Sequence, residues 1–352
     1  MISMKRLFLL SSILLGYAAS PALAFESEVG TNRMACIRQA KLELWKMASA
    51  PNPTNRVIRI DLDPEATLEP VIMELVYVPG GTVTAPDDRP ISIAPFWMCK
   101  TEVRHVEYKV YQEDWGETYP GAPKEEQRDK EGIYDCVTGP SPDAFVLSGL
   151  ARTDTNLDHR SPMSVVNVRN AQTFTFWLSQ RTGHIVRLPT EAEWLHAALG
   201  GRETLYPADW ELEVVHAPTQ DDGYTLDHVG SRRANPYGIH DLLGNVGEWV
   251  LGGWSDTPLA PLRHAEHRYD GLLVGGCYAD TIVPGPTWPR AKLIPGWQET
   301  DPQVPKSSWF LSDGNHTGFR VIIPATKPDL KATIAAWTSG FERKRDRETR
   351  SP

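Results

Sequence analysis

Residues 183–201, GHIVRLPTEAEWLHAALGG, fix both ends of a short helix. Pro189 disfavours the helical region for Leu188, so the helix has to begin after it. Thr190 and Glu193 have the S/T-x-x-E spacing of a capping box. The Thr190 hydroxyl accepts from the Glu193 amide, and the Glu193 carboxylate reaches back to the Thr190 amide. Glu191 and Glu193 then lie at the positive end of the helix dipole. Ala192, Trp194, Leu195, Ala197, Ala198 and Leu199 give the apolar content, and Gly200 and Gly201 permit a left-handed exit. The segment 184–188 reads as a short strand entering the core. Arg187, beside that apolar run, has Glu191 or Glu193 as its expected carboxylate. The stretch is thus a structural anchor, and the rest of the chain is placed relative to it.

Residues 1–24 resemble a secretory leader. Lys5 and Arg6 precede an apolar run over 7–18, and Ala22-Leu23-Ala24 supplies the small-x-small cleavage pattern. The run is too short, and too soon followed by Pro21, for a membrane span. No later stretch is long and apolar enough for one. The expected location is periplasmic or secreted. The chain carries 36 basic and 45 acidic side chains, and the leader removes two of the basic ones. A mature chain this acidic repels phosphate backbones, which excludes non-specific nucleic-acid binding. Of the 352 residues, 27 are glycine and 29 proline, spread along the chain, which predicts a loop-rich globular domain with short strands. Cys36, Cys99, Cys136 and Cys277 have no metal-ligand spacing. Export permits disulfides, and the pairing stays open.

The segments follow in order. An N-terminal arm spans 25–71, with a candidate helix over 32–50. Strands are expected at 75–78 and 91–98, then a helix over 101–112. Residues 113–160 read as a long insertion without periodicity. Asn167 is a candidate cap for a helix running to Arg181, where Ala171, Phe174, Trp177 and Leu178 recur at helical spacing. Short strand-and-turn segments follow at 237–254 and 272–278, and a last strand at 317–323. Residues 325–352 form a basic helix or tail, with a helix over 329–341.

The order of motifs carries a resemblance. Val78-Pro79-Gly80-Gly81 precedes Phe96-Trp97 and Thr101-Glu102-Val103. Then come RLPTEAEW at 187–194, Asn235-Pro236-Tyr237-Gly238, DLLGNVGEW at 241–249, Gly275-Gly276, and Gly318-Phe319-Arg320-Val321. Over 72–324 the chain resembles the formylglycine-generating enzyme, or sulfatase-modifying-factor, family. The resemblance implies an α+β domain, a loop-rich variant of the C-type-lectin fold with short helices and small sheets. It implies calcium at Asp241, Glu248 and the carbonyls of Gly244 and Val246. Calcium prefers such mixed oxygen sets. It also implies a second calcium loop at Asp222 and the carbonyl of Tyr224, with Asp209 the nearest upstream partner. An ordinary Asp-Gly turn explains that second loop as well.

Members with the founding activity oxidise a sulfatase cysteine to formylglycine. They hold copper between two cysteines five residues apart, just past the glycine pair. A cuprous ion needs those thiolates. Here the matching positions are Asp280 and Gly285, so copper is not expected. Cys277, where the family has serine, is either a reactive thiol or a small inert one. Cys277 and Asp280 are the candidate catalytic residues. His264 and His267, flanking Glu266, lack the context of a metal motif, and His105, His196 and His240 read as packing or surface residues. Trp254, Trp288, Trp297 and Trp309 either line a groove or fill the core. The expected function is an exported maturation or modifying factor acting on a peptide or small secreted metabolite without the two-cysteine copper reaction. The alternatives are a non-catalytic lectin-like binding module and sulfatase activation by an altered site.

Overall fold

The computed structural model describes residues 56–63, 70–118, 160–206, 226–263, 269–280, 285, 287–302, 306–307 and 309–326. The expected leader, the expected helix over 32–50, Cys36, Cys136, most of the expected 113–160 insertion, Asp209, Asp222, Tyr224, His264, His267 and the residues after Thr326 lie outside these residues.

The architecture is α+β. One four-stranded sheet has the order β1 (Val57–Asp61), β2 (Ile72–Val78), β5 (Phe96–Cys99) and β10 (Ile322–Pro324), with every pair antiparallel. A hairpin pairs β3 (Gly81–Thr84) with β4 (Pro90–Ile93). A second four-stranded sheet has the order β8 (Arg290–Lys292), β7 (Leu272–Val274), β6 (Gly247–Val250) and β9 (Thr317–Gly318). In it, β6 and β9 run parallel. The helices are α1 (His105–Thr118), α2 (Val168–Thr182) and α3 (Glu191–Leu199), with a 3-10 turn over Pro295–Gln298. Strand β1 belongs to the segment read as an arm, yet it pairs with β2 as the outer strand of the first sheet.

Strand β5 is buried along its whole length, because core lies on both faces of its sheet. Leu75, Tyr77, Trp97 and Cys99 face one hydrophobic cluster, while Val76, Val78, Phe96 and Met98 face another. Successive side chains point to opposite faces of a strand, so an uninterrupted apolar run suits this position. The first cluster holds α1 and α2, joined by the ring contacts of Tyr108, Tyr111, Phe174 and Trp177. The second holds α3, with Trp194 fully buried.

Two long strands expected from sequence are each divided. Residues 91–98 split into β4 and β5 at Ala94-Pro95, where proline has no amide for a ladder. Residues 317–323 split into β9 and β10, which belong to different sheets. The chain crosses between sheets at Phe319-Arg320-Val321. The first helix starts at His105 rather than Thr101, because Val103 is paired elsewhere: its carbonyl accepts from the Met163 amide and its amide donates to the Phe319 carbonyl. Glu107 accepts from the Arg104 amide at 2.7 Å as that helix begins. The other two helices match their sequence caps. Asn167 accepts from the Arg169 amide, and Gly183 exits left-handed. Thr190 and Glu193 form the full capping box, and Gly200 exits left-handed.

Candidate functional site

The capping helix also organises the site. Arg187 forks onto Glu193, Nη1 to Oε2 at 2.7 Å and Nη2 to Oε1 at 2.6 Å. Burial alone would raise the Glu193 pKa, but Arg187 and the Thr190 donors hold it below the usual range. Glu191 points the other way. It accepts from Arg290 Nε at 2.5 Å, Trp288 Nε1 at 3.2 Å and the Leu259 amide at 3.0 Å. The Arg290 and Glu191 side chains are only 8% and 10% exposed, so this pair is a neutral, buried unit. Arg290 also lies over the Trp254 ring at 4.8 Å.

Strand β7 ends in Gly275 and Gly276, both left-handed, with φ of 93° and 71°. A Cβ on Gly275 would sit 2.8 Å from the Leu242 carbonyl oxygen and 3.2 Å from the Trp194 ring. Only glycine fits both constraints. The chain then forms a tight turn. The Asp280 amide donates to the Cys277 carbonyl at 3.0 Å, and Asp280 Oδ2 accepts from the Cys277 amide at 2.9 Å. The Tyr278 amide donates to the Asn245 carbonyl at 2.9 Å. A groove of about 580 Å³ opens here, lined by Tyr206, Cys277, Asp280, Trp288, Trp297 and His316, with Arg290 in its wall.

Within the groove, Cys277 is buried and unbridged. Burial first, then the Asp280 carboxylate, pushes its thiol up to about 12. It is therefore a protonated thiol at neutral pH, not the thiolate a nucleophile needs. Cys99 is likewise buried, and its pKa is pushed up to about 12. Asp280 is exposed and does double duty as turn cap and groove carboxylate. Burial lowers the His316 pKa, with Asp280 pulling the other way, so His316 is a neutral imidazole. Its ring meets Trp297 edge-on at 4.6 Å. Trp288 and Trp297 thus line the groove, Trp254 backs Arg290, and Trp309 is core. A cuprous ion does not fit this donor set. Among the described residues the groove presents one sulfur, held as a thiol, and Gly285 has no side chain.

The turn over 241–248 adjoins the groove through the Gly244 amide, which donates to the Gly275 carbonyl at 3.0 Å. Asp241, Gly244 and Asn245 are all left-handed. Asp241 Oδ2 accepts from the Gly230 amide at 2.5 Å. Glu248 pairs with Arg320, the two side chains being 1% and 0% exposed. Arg320 Nη2 meets Glu248 Oε1 at 2.6 Å and Nε meets Oε2 at 2.7 Å, while Trp194 Nε1 donates to Oε2 at 2.9 Å. Arg320 also donates to the carbonyls of Cys99 and His240. Glu248, expected as a calcium ligand, is therefore engaged by three donors on its two oxygens.

Another carboxylate takes its place as the unsatisfied one. Glu102 is 1% exposed, and its Oε2 has no hydrogen-bond partner. Its Oε1 accepts from Asn245 Nδ2 at 3.0 Å. Burial and then the charge of Asp241 raise its pKa well above the usual carboxylate range. A buried carboxylate oxygen without a partner, next to Asp241 and a turn of glycines, suits a hard cation. Among the described residues, no group of three or more His, Cys, Asp or Glu side chains is arranged to hold a metal. A cation here would need main-chain carbonyls as well. His196 and His240 are packing residues, bonded to the carbonyls of Pro79 and Arg232. Arg290 and His316 carry no sequence signal, and Glu191 reads from sequence as a helix-end carboxylate or a partner of Arg187, not as the partner of Arg290 in the wall of the groove. Glu102 stood in a quoted motif, but its isolation depends on tertiary packing.

Comparisons with known proteins agree with this frame. The family profile described as a sulfatase-modifying factor enzyme 1-like domain matches residues 63–325. The formylglycine-generating enzyme of Streptomyces coelicolor is 31% identical over 227 residues, covering 53% of this chain and 69% of that one. The serine/threonine-protein kinase pkn1 of Chlamydia pneumoniae is 34% identical over 130 residues, covering 34% of this chain but only 19% of the kinase. This chain therefore matches about a fifth of that relative's length. Among solved structures, PvdO from Pseudomonas aeruginosa has a TM-score of 0.50 at 18% identity, covering 77% of this chain and 100% of that one. At that identity the likeness is one of fold. Among the described residues, no helix is long and apolar enough to cross a membrane.

Proposed function

This chain belongs to the sulfatase-modifying factor enzyme 1-like family, and from that premise we propose that it is an exported modifying factor. It binds a peptide or secreted metabolite in the groove after Gly275-Gly276 and works without the two-cysteine copper reaction. The observation that carries this reading is the donor set of the groove. By the family resemblance Asp280 and Gly285 match the two copper cysteines, and the one sulfur in the groove among the described residues, Cys277, is a protonated thiol.

In this reading the rings of Trp288 and Trp297 hold the substrate. His316, neutral and facing the groove, accepts a proton, and Asp280 steadies the charge that His316 then carries. Cys277 packs beneath them. Calcium is the proposed structural ion. Asp241, the orphaned oxygen of Glu102 and the carbonyls of Gly244 and Val246 would hold it, and it would supply charge that offsets the crowded carboxylates.

A second reading, a non-catalytic lectin-like binding module, is favoured by one observation. Asp280 already caps the turn at Cys277, and such a carboxylate serves binding as well as proton transfer.

One experiment separates these readings. The full chain is incubated with a sulfatase-motif peptide, copper and oxygen, and the products are followed by mass. The expected result is saturable peptide binding and a change in peptide mass other than that of the aldehyde, lost in His316→Ala. Aldehyde formation that depends on copper would overturn the proposal. Binding that leaves every offered compound unchanged in mass, in the wild type as in His316→Ala, would favour the module.

A further inference from the structure

The charges of the groove do not balance, and this deepens the reading above, on which it rests. Among the described residues, two charged side chains line the groove, Asp280 and Arg290. They are not equivalent. Arg290 is sealed against Glu191, with Nε on Oε1 at 2.5 Å and Nη2 on the Ser255 carbonyl at 2.9 Å. Its charge is cancelled within the wall. Asp280 is exposed at the mouth, and the one contact that its carboxylate makes in the turn is with an uncharged amide. Four rings share the lining with them, those of Tyr206, Trp288, Trp297 and His316, and the rest of the lining is uncharged. One uncompensated carboxylate among aromatic rings is the chemistry of a cation receptor. The faces of the rings carry negative potential, the carboxylate supplies the full charge, and the partly dry wall strengthens both.

We propose that the groove selects an organic cation, presented either as a quaternary ammonium or as the Lys or Arg side chain of a peptide, with Asp280 as its counter-charge. The acidic balance of the whole chain, 45 acidic against 36 basic residues, favours the approach of such a ligand. Among the described residues, an anionic substrate would meet Asp280 with no free positive charge to offset it, since Glu191 already holds Arg290. The position that binds a soft metal cation through sulfur in the founding enzymes would here bind a soft organic cation through a carboxylate and rings.

The test uses the full chain and three probes in calorimetric titrations: tetramethylammonium chloride, a short peptide with a central lysine, and the same peptide with glutamate in that place. The lysine peptide, tetramethylammonium or both should bind saturably, and the glutamate peptide should bind at least roughly tenfold more weakly. Asp280→Asn keeps an acceptor for the Cys277 amide, so the turn persists, while affinity for the cation falls roughly tenfold. Trp297→Leu should weaken it by about threefold. Binding by tetramethylammonium alone points to a small metabolite as source, and binding by the lysine peptide alone points to a protein; either supports the proposal. Equal affinity for the lysine and glutamate peptides overturns cation selection while leaving the groove a binding site. No binding by any probe overturns cation selection and the proposed function together. Cation affinity unchanged in Asp280→Asn also overturns the proposal.

Discussion

Replacing Arg320 by methionine is the most informative single perturbation of this fold. Arg320 is fully buried and lies where the chain crosses from one sheet to the other. Its guanidinium meets both oxygens of Glu248 at 2.6 Å and 2.7 Å and the carbonyls of Cys99 and His240 at 3.2 Å and 3.0 Å. Methionine fills much of the volume and removes every one of these donors. Glu248 is then a buried carboxylate that keeps only the Trp194 donor, and the charges of Asp241 and Glu102 lie close enough to act on the same guanidinium. Removing one partner of a buried pair costs about 3–5 kcal/mol, because the other charge is stranded. That is a large share of the roughly 5–15 kcal/mol that holds a domain together. The melting temperature should fall on the order of 10 °C. Urea unfolding followed by tryptophan fluorescence measures the loss. The pair Arg320→Met with Glu248→Gln should recover most of it, since glutamine still accepts from Trp194 without a charge. An Arg320→Met variant within about 1 kcal/mol of wild type, or a double variant no better than the single one, would refute this account.

Other outcomes follow from the same geometry. Glu102 has a raised pKa, so its contribution is fully present below the unfolded value of about 4.3 and is lost as pH rises through the folded one. In chelator, wild-type stability should therefore decline with rising pH more steeply than that of Glu102→Gln, in which the raised carboxyls of Glu107 and Glu248 remain, and added calcium should restore the wild type only; pH-dependent melting curves check both. Glu193 is shifted downward, so its contribution is present above the ordinary carboxylate pKa and lost as pH falls through its folded value. Thr190→Ala should cost about 1 kcal/mol through loss of the cap, read from urea midpoints. Gly275→Ala places a Cβ 2.8 Å from the Leu242 carbonyl oxygen at a φ of 93°. It should cost about 2 kcal/mol or more, measured by urea unfolding. Cys277 should resist alkylation by iodoacetamide at pH 7 in the folded chain and react fully in urea, as a raised thiol pKa requires.

Much of the frame was legible in the residues because its signals are local. The capping box at Thr190, the Asn167 cap and the glycines at 183 and 200 depend on neighbours within a few positions, and all four are where the sequence put them. Strand ends were less legible. The run over 91–98 is apolar throughout, and only the pairing of β5 with β2 and β10 shows why Ala94-Pro95 breaks it. The site divided in the same way. Gly275-Gly276 and Asp280 were visible as a motif and a departure from it. The partner of Arg187 was left between two glutamates, and the structure gives it Glu193 while assigning Glu191 to Arg290, 99 residues away. No periodicity reports a contact at that separation. The solitude of Glu102 Oε2 and the neutrality of His316 were illegible for the same reason, since burial is a property of the assembled core.

The crossing at Phe319-Arg320-Val321 has a further consequence for when this protein can fold. Strands β9 and β10 are the outer members of the two larger sheets, and they leave the ribosome among the last residues of the domain. Until they arrive, β5 and β6 each lack a neighbour, and Glu248 waits in the interior without its counter-ion. Both layers are therefore completed by one short segment in a single late event. A chain halted at residue 316 would hold two unfinished sheets and an acid that water must keep solvated.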